Sequence, residues 1–168
     1  MMEPNTLETR LSRGELDATL KTLYGAGGMK SARERCTQVL ERFRQTFDCP
    51  AEALFSAPGR TELGGNHTDH QHGCVLAAAV DMQTTAEVTL TGTNIIRVDS
   101  EGYKPVEIDL NDLEARESEK NTTAALIRGV AAAFARRGYK LGGFEAKVRS
   151  TVLPGSGLSS SAAFEVLI

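Results

Sequence analysis

Residues 153–168, LPGSGLSSSAAFEVLI, decide how this chain is read. Gly155 and Gly157 flank a turn, Ser159, Ser160 and Ser161 follow, and Ala162 and Ala163 open an apolar helical segment that runs from Phe164 to Ile168. Backbone N–H groups and hydroxyls therefore converge at a helix N-terminus, where unpaired donors and the positive end of the helix dipole favour phosphate. Glycine lets a ligand approach the backbone without meeting a β-carbon. The competing reading is a flexible Gly/Ser linker. A linker is not normally followed at once by AAFEVLI, and Pro154 fits a chain leaving a strand for a turn. No lysine follows the glycines, so this is not the GxxxxGK[ST] nucleotide loop.

Upstream of the loop, Phe144, Ala146 and Val148 alternate with Glu145, Lys147 and Arg149, which predicts a strand delivering the chain to Pro154. Before it, Asn121 or Thr122 caps a helix that carries Ile127, Val130, Ala131 and Phe134 inward and stops at Gly138. Three strands precede that helix, around 86–90, 95–98 and 106–110. Hairpin-length connections at 92–94 and 101–103 predict antiparallel pairing. CVLAAAV at 74–80 is apolar enough for a buried strand or a helical turn, and periodicity does not choose between them. A short strand is expected at 53–56. In the first fifty residues, Ser12 with Glu15 predicts one helix carrying Leu16, Leu20 and Leu23, stopped by Gly25, Gly27 and Gly28. Ser31 with Glu34 predicts a second, burying Ala32, Cys36, Val39, Leu40, Phe43 and Phe47 and leaving Arg33, Arg35, Arg42 and Arg44 mainly in solvent. The fold class is α+β, with a helical extension over 1–50 and a domain over 51–168.

The second informative stretch is PGRTELGGNHTDHQHG at 58–73, which concentrates one arginine, one glutamate, one aspartate and three histidines among four glycines. Such density on a loop suits a small-molecule site. Two specific chemistries compete with a solvated turn. His67, Asp69, His70 and His72 could ligate a divalent metal. Alternatively Asn66 and Asp69 could hold the hydroxyls of a polyhydroxylated ligand, with Arg60 supplying fixed positive charge.

Composition narrows the field. The chain has 168 residues, 40% hydrophobic and 24% charged, with a formal net charge of -3. These values suit one globular domain or part of a larger protein, and give no reason to expect a nucleic-acid or membrane partner. No apolar run approaches transmembrane length, and the charged N-terminus is unlike a signal peptide. Three cysteines, Cys36, Cys49 and Cys74, without metal-type spacing suit buried, reduced thiols in the cytoplasm.

Taken together, the two stretches resemble a known family. APGRTELGGNHTDH is similar to the galactokinase signature APGRxNLIGEHTDY, and LPGSGLSSSAAFEV is similar to the phosphate loop of the GHMP kinases. Their order and separation also resemble that family, over about residues 50 to 168. The resemblance implies the GHMP-kinase N-terminal domain, of the ribosomal protein S5 domain 2-like type. It implies phosphoryl transfer from ATP to the C1 hydroxyl of galactose, with Mg²⁺. Arg60 matches the arginine that stabilises the transition state, and His67, Thr68 and Asp69, with Asn66 beside them, match the sugar-binding segment. Gly155, Ser156, Gly157, Leu158, Ser159, Ser160 and Ser161 match the loop around the ATP phosphates, Ser161 being the serine that reaches Mg²⁺. Ser100 matches, loosely, a serine near the nucleotide.

The sequence departs from the pattern at Asn66, where the family has Glu, at Glu62, where it has Asn, and at His70, where it has Tyr. The loss of charge at Asn66 bears on which sugar is held. In the family the catalytic aspartate, the Mg²⁺-binding glutamate and a second domain come after the segment matched here. The expectation is thus the front part of a sugar kinase, with the remaining half as its missing partner and inactive by itself. The alternatives are a non-catalytic sugar- or nucleotide-binding remnant or sensor, and a metal-dependent hydrolase, which leaves the 153–163 loop without a role.

Overall fold

Two stretches that periodicity breaks into pieces are each one continuous strand in the computed structural model, which describes residues 6–65, 68, 72–153 and 155–168. The first, β1, runs Ala53–Gly64, and the second, β2, runs Leu76–Leu90. The expected short strand at 53–56 therefore continues through Arg60 and Glu62, which lie on a strand and not on a loop. Pro58 is compatible with this because β1 is an edge strand, where a missing N–H costs no ladder bond. CVLAAAV resolves as strand from Leu76 onward.

Ahead of the sheet, α1 (Leu7–Ser12) is capped by Thr6, whose hydroxyl accepts from Thr9 N. A turn then leads to α2 (Asp17–Phe47), which is kinked at Gly25 (φ 71°, ψ 170°) but resumes at once. Two expectations are corrected here. Ser12 donates to the Thr9 carbonyl inside α1 and caps nothing, and Ser31 lies within α2, accepting from Arg35. The helix survives Gly27 and Gly28 because packing of its apolar stripe outweighs about 1 kcal/mol per glycine of poor propensity. Ala32, Cys36, Val39, Leu40 and Phe43 are buried as expected, whereas Leu23 is exposed. Arg33 is bound to Asp17, the first residue of the same helix, across the Gly25 kink, so that side of the helix is not simply solvated.

The sheet continues with β3 (Ile95–Ser100) and β4 (Val106–Asp109), an antiparallel hairpin. After a 3₁₀ turn at Glu117–Glu119 come α3 (Thr123–Arg136), β5 (Phe144–Ser150) and α4 (Ser160–Leu167). Strand order is β1-β2-β5-β3-β4, with β5 antiparallel to β2 and parallel to β3. The expected β2–β3 hairpin at 92–94 does not form. Instead Gly143 N donates to Thr93 O at 2.8 Å and Thr91 N to Gly143 O at 3.1 Å, so the turn is paired with the entrance of β5.

One face of the sheet buries Ala86, Ile96, Val98, Ile108, Ala146 and Val148 against Ile127 of α3 and the apolar side of α4. The other face is covered in part by α2, whose own cluster extends to Ala51 and Leu54. Phe134, expected inward, is 44% exposed and stacks edge-on against Tyr139. Of the cysteines only Cys36 is buried; Cys49 is half-buried and Cys74 exposed, and all three are free. Among the described residues no helix is long and apolar enough to cross a membrane.

Candidate functional site

The phosphate-like loop and the Arg60 strand meet directly. Arg60 N donates to Leu158 O at 3.0 Å, seating the 155–159 turn on β1. Local irregularity makes the room. Between Pro58 and Arg60 the β1–β2 register jumps from Gln83 to Ala79, so Gly59 sits opposite a bulge in β2 and against the Leu158 carbonyl. Arg60 itself is half-buried.

Gly155 (φ 74°) and Gly157 (φ 75°) are both left-handed, a conformation that lets the chain reverse twice within three residues. Open space lies where their β-carbons would be. Ser159, also left-handed, is the N-cap of α4 but makes no side-chain cap hydrogen bond. The first N–H groups of α4 thus have no capping side chain, and Ser160 and Ser161 stand beside them. A cavity of about 780 Å³ adjoins this end, lined by Ser160, Ser161 and Phe164 of α4, Ser100 of β3, and the Asn121–Thr123 start of α3. Its sheet side is formed by Thr84, Val148 and Ser150, where Thr84 Oγ1 and Ser150 Oγ are 2.8 Å apart. The structure thus brings Ser100 to the same cavity as Ser160 and Ser161. Sequence reasoning missed Thr84, Ser150 and Asn121. Only Asn121, at φ 61° before a helix cap, carries a local signal.

On the 58–73 stretch, Thr68 Oγ1 donates to Gly65 O at 2.7 Å and Gly73 N donates to Thr68 O at 2.7 Å. Asn66, His67, Asp69 and His70 lie outside the described residues. His72 is described and exposed. Among the described residues no group of three or more His, Cys, Asp or Glu is arranged to hold a metal.

The loop's donor set fits a polyphosphate: left-handed glycines, uncapped N–H groups and serine hydroxyls converge there, while the carboxylate of Glu101, which lines the adjoining cavity, is paired with Arg149 and Arg42. A Mg²⁺ ion accompanying phosphates would need few protein ligands at such a site, since Mg²⁺ keeps several waters.

Residues 41–90 match the family described as the galactokinase galactose-binding signature, and residues 125–168 match the GHMP kinases N terminal domain. The chain is 40% identical over 130 residues to the galactokinase of Streptomyces coelicolor, covering 76% of this chain and 33% of that protein. Its two matched segments are those of the GHMP kinases, and the chain is similar to the N-terminal part of galactokinases. The galactokinase of Lactococcus lactis subsp. cremoris is 32% identical over 133 residues, covering 76% of this chain and 33% of that protein. The crystal structure of Lactococcus lactis galactokinase complexed with galactose superposes with a TM-score of 0.69 at 28% identity, over 79% of this chain and 35% of that one. Mevalonate kinase of Methanococcus jannaschii, at 18% identity, shares the fold with a TM-score of 0.55 over 68% of this chain and 37% of that one. The chain spans about a third of the length of the galactokinases it matches.

Proposed function

We propose that these residues form the ATP- and sugar-binding part of a kinase that phosphorylates the C1 hydroxyl of galactose or a related sugar. The observation that carries this reading is the hydrogen bond from Arg60 N to Leu158 O at 3.0 Å, which joins the signature strand to the phosphate loop. Bound ATP with Mg²⁺ supplies the phosphoryl group and neutralises part of its charge. N–H groups at the start of α4 and the hydroxyls of Ser160 and Ser161 hold phosphate oxygens, and Ser161 also contacts the metal. Arg60 places a permanent guanidinium where charge builds as the sugar oxygen bonds to phosphorus and the bond to the leaving ADP oxygen breaks. The hydroxyl proton passes to a base as that bond forms. Asn66, His67, Thr68 and Asp69 hold the sugar, and the cavity beside Ser100 takes the remainder of the nucleotide. Residues 1–50 serve as a helical extension to the domain of 51–168. We place the protein in the cytoplasm, consistent with three free thiols.

The test is calorimetric binding together with a coupled ADP-release assay on the full-length kinase. Ser161→Ala should weaken Mg²⁺–ATP use by roughly ten- to a hundredfold, the equivalent of about 1.5–3 kcal/mol for one charge-assisted contact. Asp69→Ala should lose galactose binding while keeping nucleotide binding. Galactose affinity unchanged in Asp69→Ala would refute the sugar assignment, and binding of both ligands without turnover would identify a non-catalytic sugar-binding protein. Residues 1–168 by themselves should give no galactose-dependent ADP release.

A further inference from the structure

The sheet surface under the C-terminal half of α2 is charged. Leu54 of β1, Glu87 of β2, Lys147 of β5 and Asp99 of β3 stand side by side in register across four strands. Lys147 Nζ donates to Asp99 Oδ2 at 2.6 Å. Arg149 pairs with Glu101 at 3.1 Å, and Arg42 of α2 reaches the same carboxylate at 3.6 Å. The cations nearest Glu87 are therefore already engaged. Glu87 is 1% exposed, and its Oε1 has no hydrogen-bond partner among the described residues. Beside it, between helix and sheet, opens a cavity of about 230 Å³ lined by Val39, Arg42 and Thr46 of α2 and by Lys147 and Arg149.

Each element around Glu87 presents its own groups. From α2 come Arg42 and the Cys36 thiol, from β5 Lys147 and Arg149 with Glu145 further along the same face, and from β3 and the following turn Asp99 and Glu101. Directly opposite Glu87, strand β1 presents the apolar Leu54, with the uncharged Ser56 two residues on. A carboxylate so placed has lost hydration at Oε1 without gaining a hydrogen bond there, whereas the neutral acid has far less to lose. Oε1 is shut off from solvent, so an occupant of the cavity does not reach it while α2 is seated.

We propose that Glu87 is a proton-operated contact between α2 and the sheet: as a neutral acid it lets the helix seat, and as a carboxylate it draws water into the cavity and loosens the helix's C-terminal half. Burial pushes the Glu87 carboxyl up to about 7, against the opposing pull of its backbone hydrogen bond and of Lys147, Arg149 and Arg42. The transition thus falls in the neutral range. Because α2 passes through Asp48–Pro50 into β1, the element it loosens adjoins the strand that carries Arg60.

Amide hydrogen exchange of residues 36–47, corrected for the intrinsic pH dependence of exchange, tests this between pH 6 and 8. Protection in α2 should fall about tenfold over that range in the parent protein, the change expected for one carboxyl titrating near 7 when seated and near 4.5 when released. Glu87→Gln should hold its protection constant with pH. An equal fall in Glu87→Gln would overturn the proposal. Carbon-13 NMR of the Glu87 carboxyl in the unmutated protein is an independent measurement: a midpoint near 7 supports the contact, and one below about 5 overturns it even if the variant does not fold.

Discussion

A β-carbon on Gly59 would stand 3.1 Å from the Leu158 carbonyl, 3.1 Å from Val80 Cγ2 and 3.2 Å from Val152 Cγ2. One of the three neighbours is backbone, so the turn itself must give way. Gly59→Ala should therefore cost about 1–3 kcal/mol in chemical denaturation and also weaken nucleotide binding, since the same carbonyl seats the phosphate loop. On the proposed function, an Arg60→Ala variant of the full-length protein should lose far more in kcat than it gains in KM, because a guanidinium placed on phosphoryl charge would gain most as that charge appears. A change confined to KM would assign Arg60 to ground-state sugar binding. At this scale the sequence was legible where chemistry is local: the motif types of Arg60 and Ser161 follow from their neighbours in the chain. The proximity of Ser100, Thr84 and Asn121 was not legible as a set, because three separate elements bring them to one cavity.

Helix α3 holds more than its apolar face. Arg128 is buried, binds both carboxylate oxygens of Glu119 at 2.7 and 2.8 Å, and also donates to the carbonyl of Asp112, tying the 112–119 connection to the helix. The Arg128 hydrogen bond holds the Glu119 carboxyl below its usual range, and the Arg116 hydrogen bond does the same for Asp112. Arg128→Ala strands Glu119 and should lower the thermal midpoint by clearly more than Lys120→Ala, whose partner Glu117 is 89% exposed and whose pair contributes little. Equal midpoints for the two variants would show that the connection holds without Arg128. Sequence periodicity read α3 and β5 well, since both carry regular apolar spacing and clear ends. It misread α2 and β1 because the decisive forces are tertiary. The expected break does occur at Gly25, but packing against Ala51 and Leu54 carries the helix on through Gly27 and Gly28, and the edge position of β1 admits Pro58. Glu87 alternates with the apolar Ala86 and Val88, a pattern that marks a solvent face, and nothing local announces that α2 covers it.

Across the whole molecule, protons pull stability in two directions. The folded state binds the Glu87 proton more tightly than the unfolded chain does, so this group's contribution is fully present below about pH 4.5 and is lost as pH rises through about 7. A rise from 4.5 to about 7 corresponds to about 3 kcal/mol, at about 1.36 kcal/mol per pH unit. Glu119 and Asp112 act oppositely: their contributions are present above their ordinary values and are lost on strong acidification. Denaturation midpoints should therefore decline from mildly acidic to neutral pH, and Glu87→Gln should flatten that decline while leaving the acid limb in place. The fold class was readable in the alternation of strands and helices, but the position of β5 was not, because a strand's neighbours are chosen by the assembled sheet. That position governs the order of assembly. Strands β1–β2 and β3–β4 each close over short chain distances, yet they remain two separate ribbons until residues 144–150 arrive to bridge them. A chain emerging from the ribosome thus delays its slow, long-range step until β5 is available. The 155–159 turn follows within a few residues, so on the proposed function a nucleotide would recognise this protein only once its sheet has been stitched together.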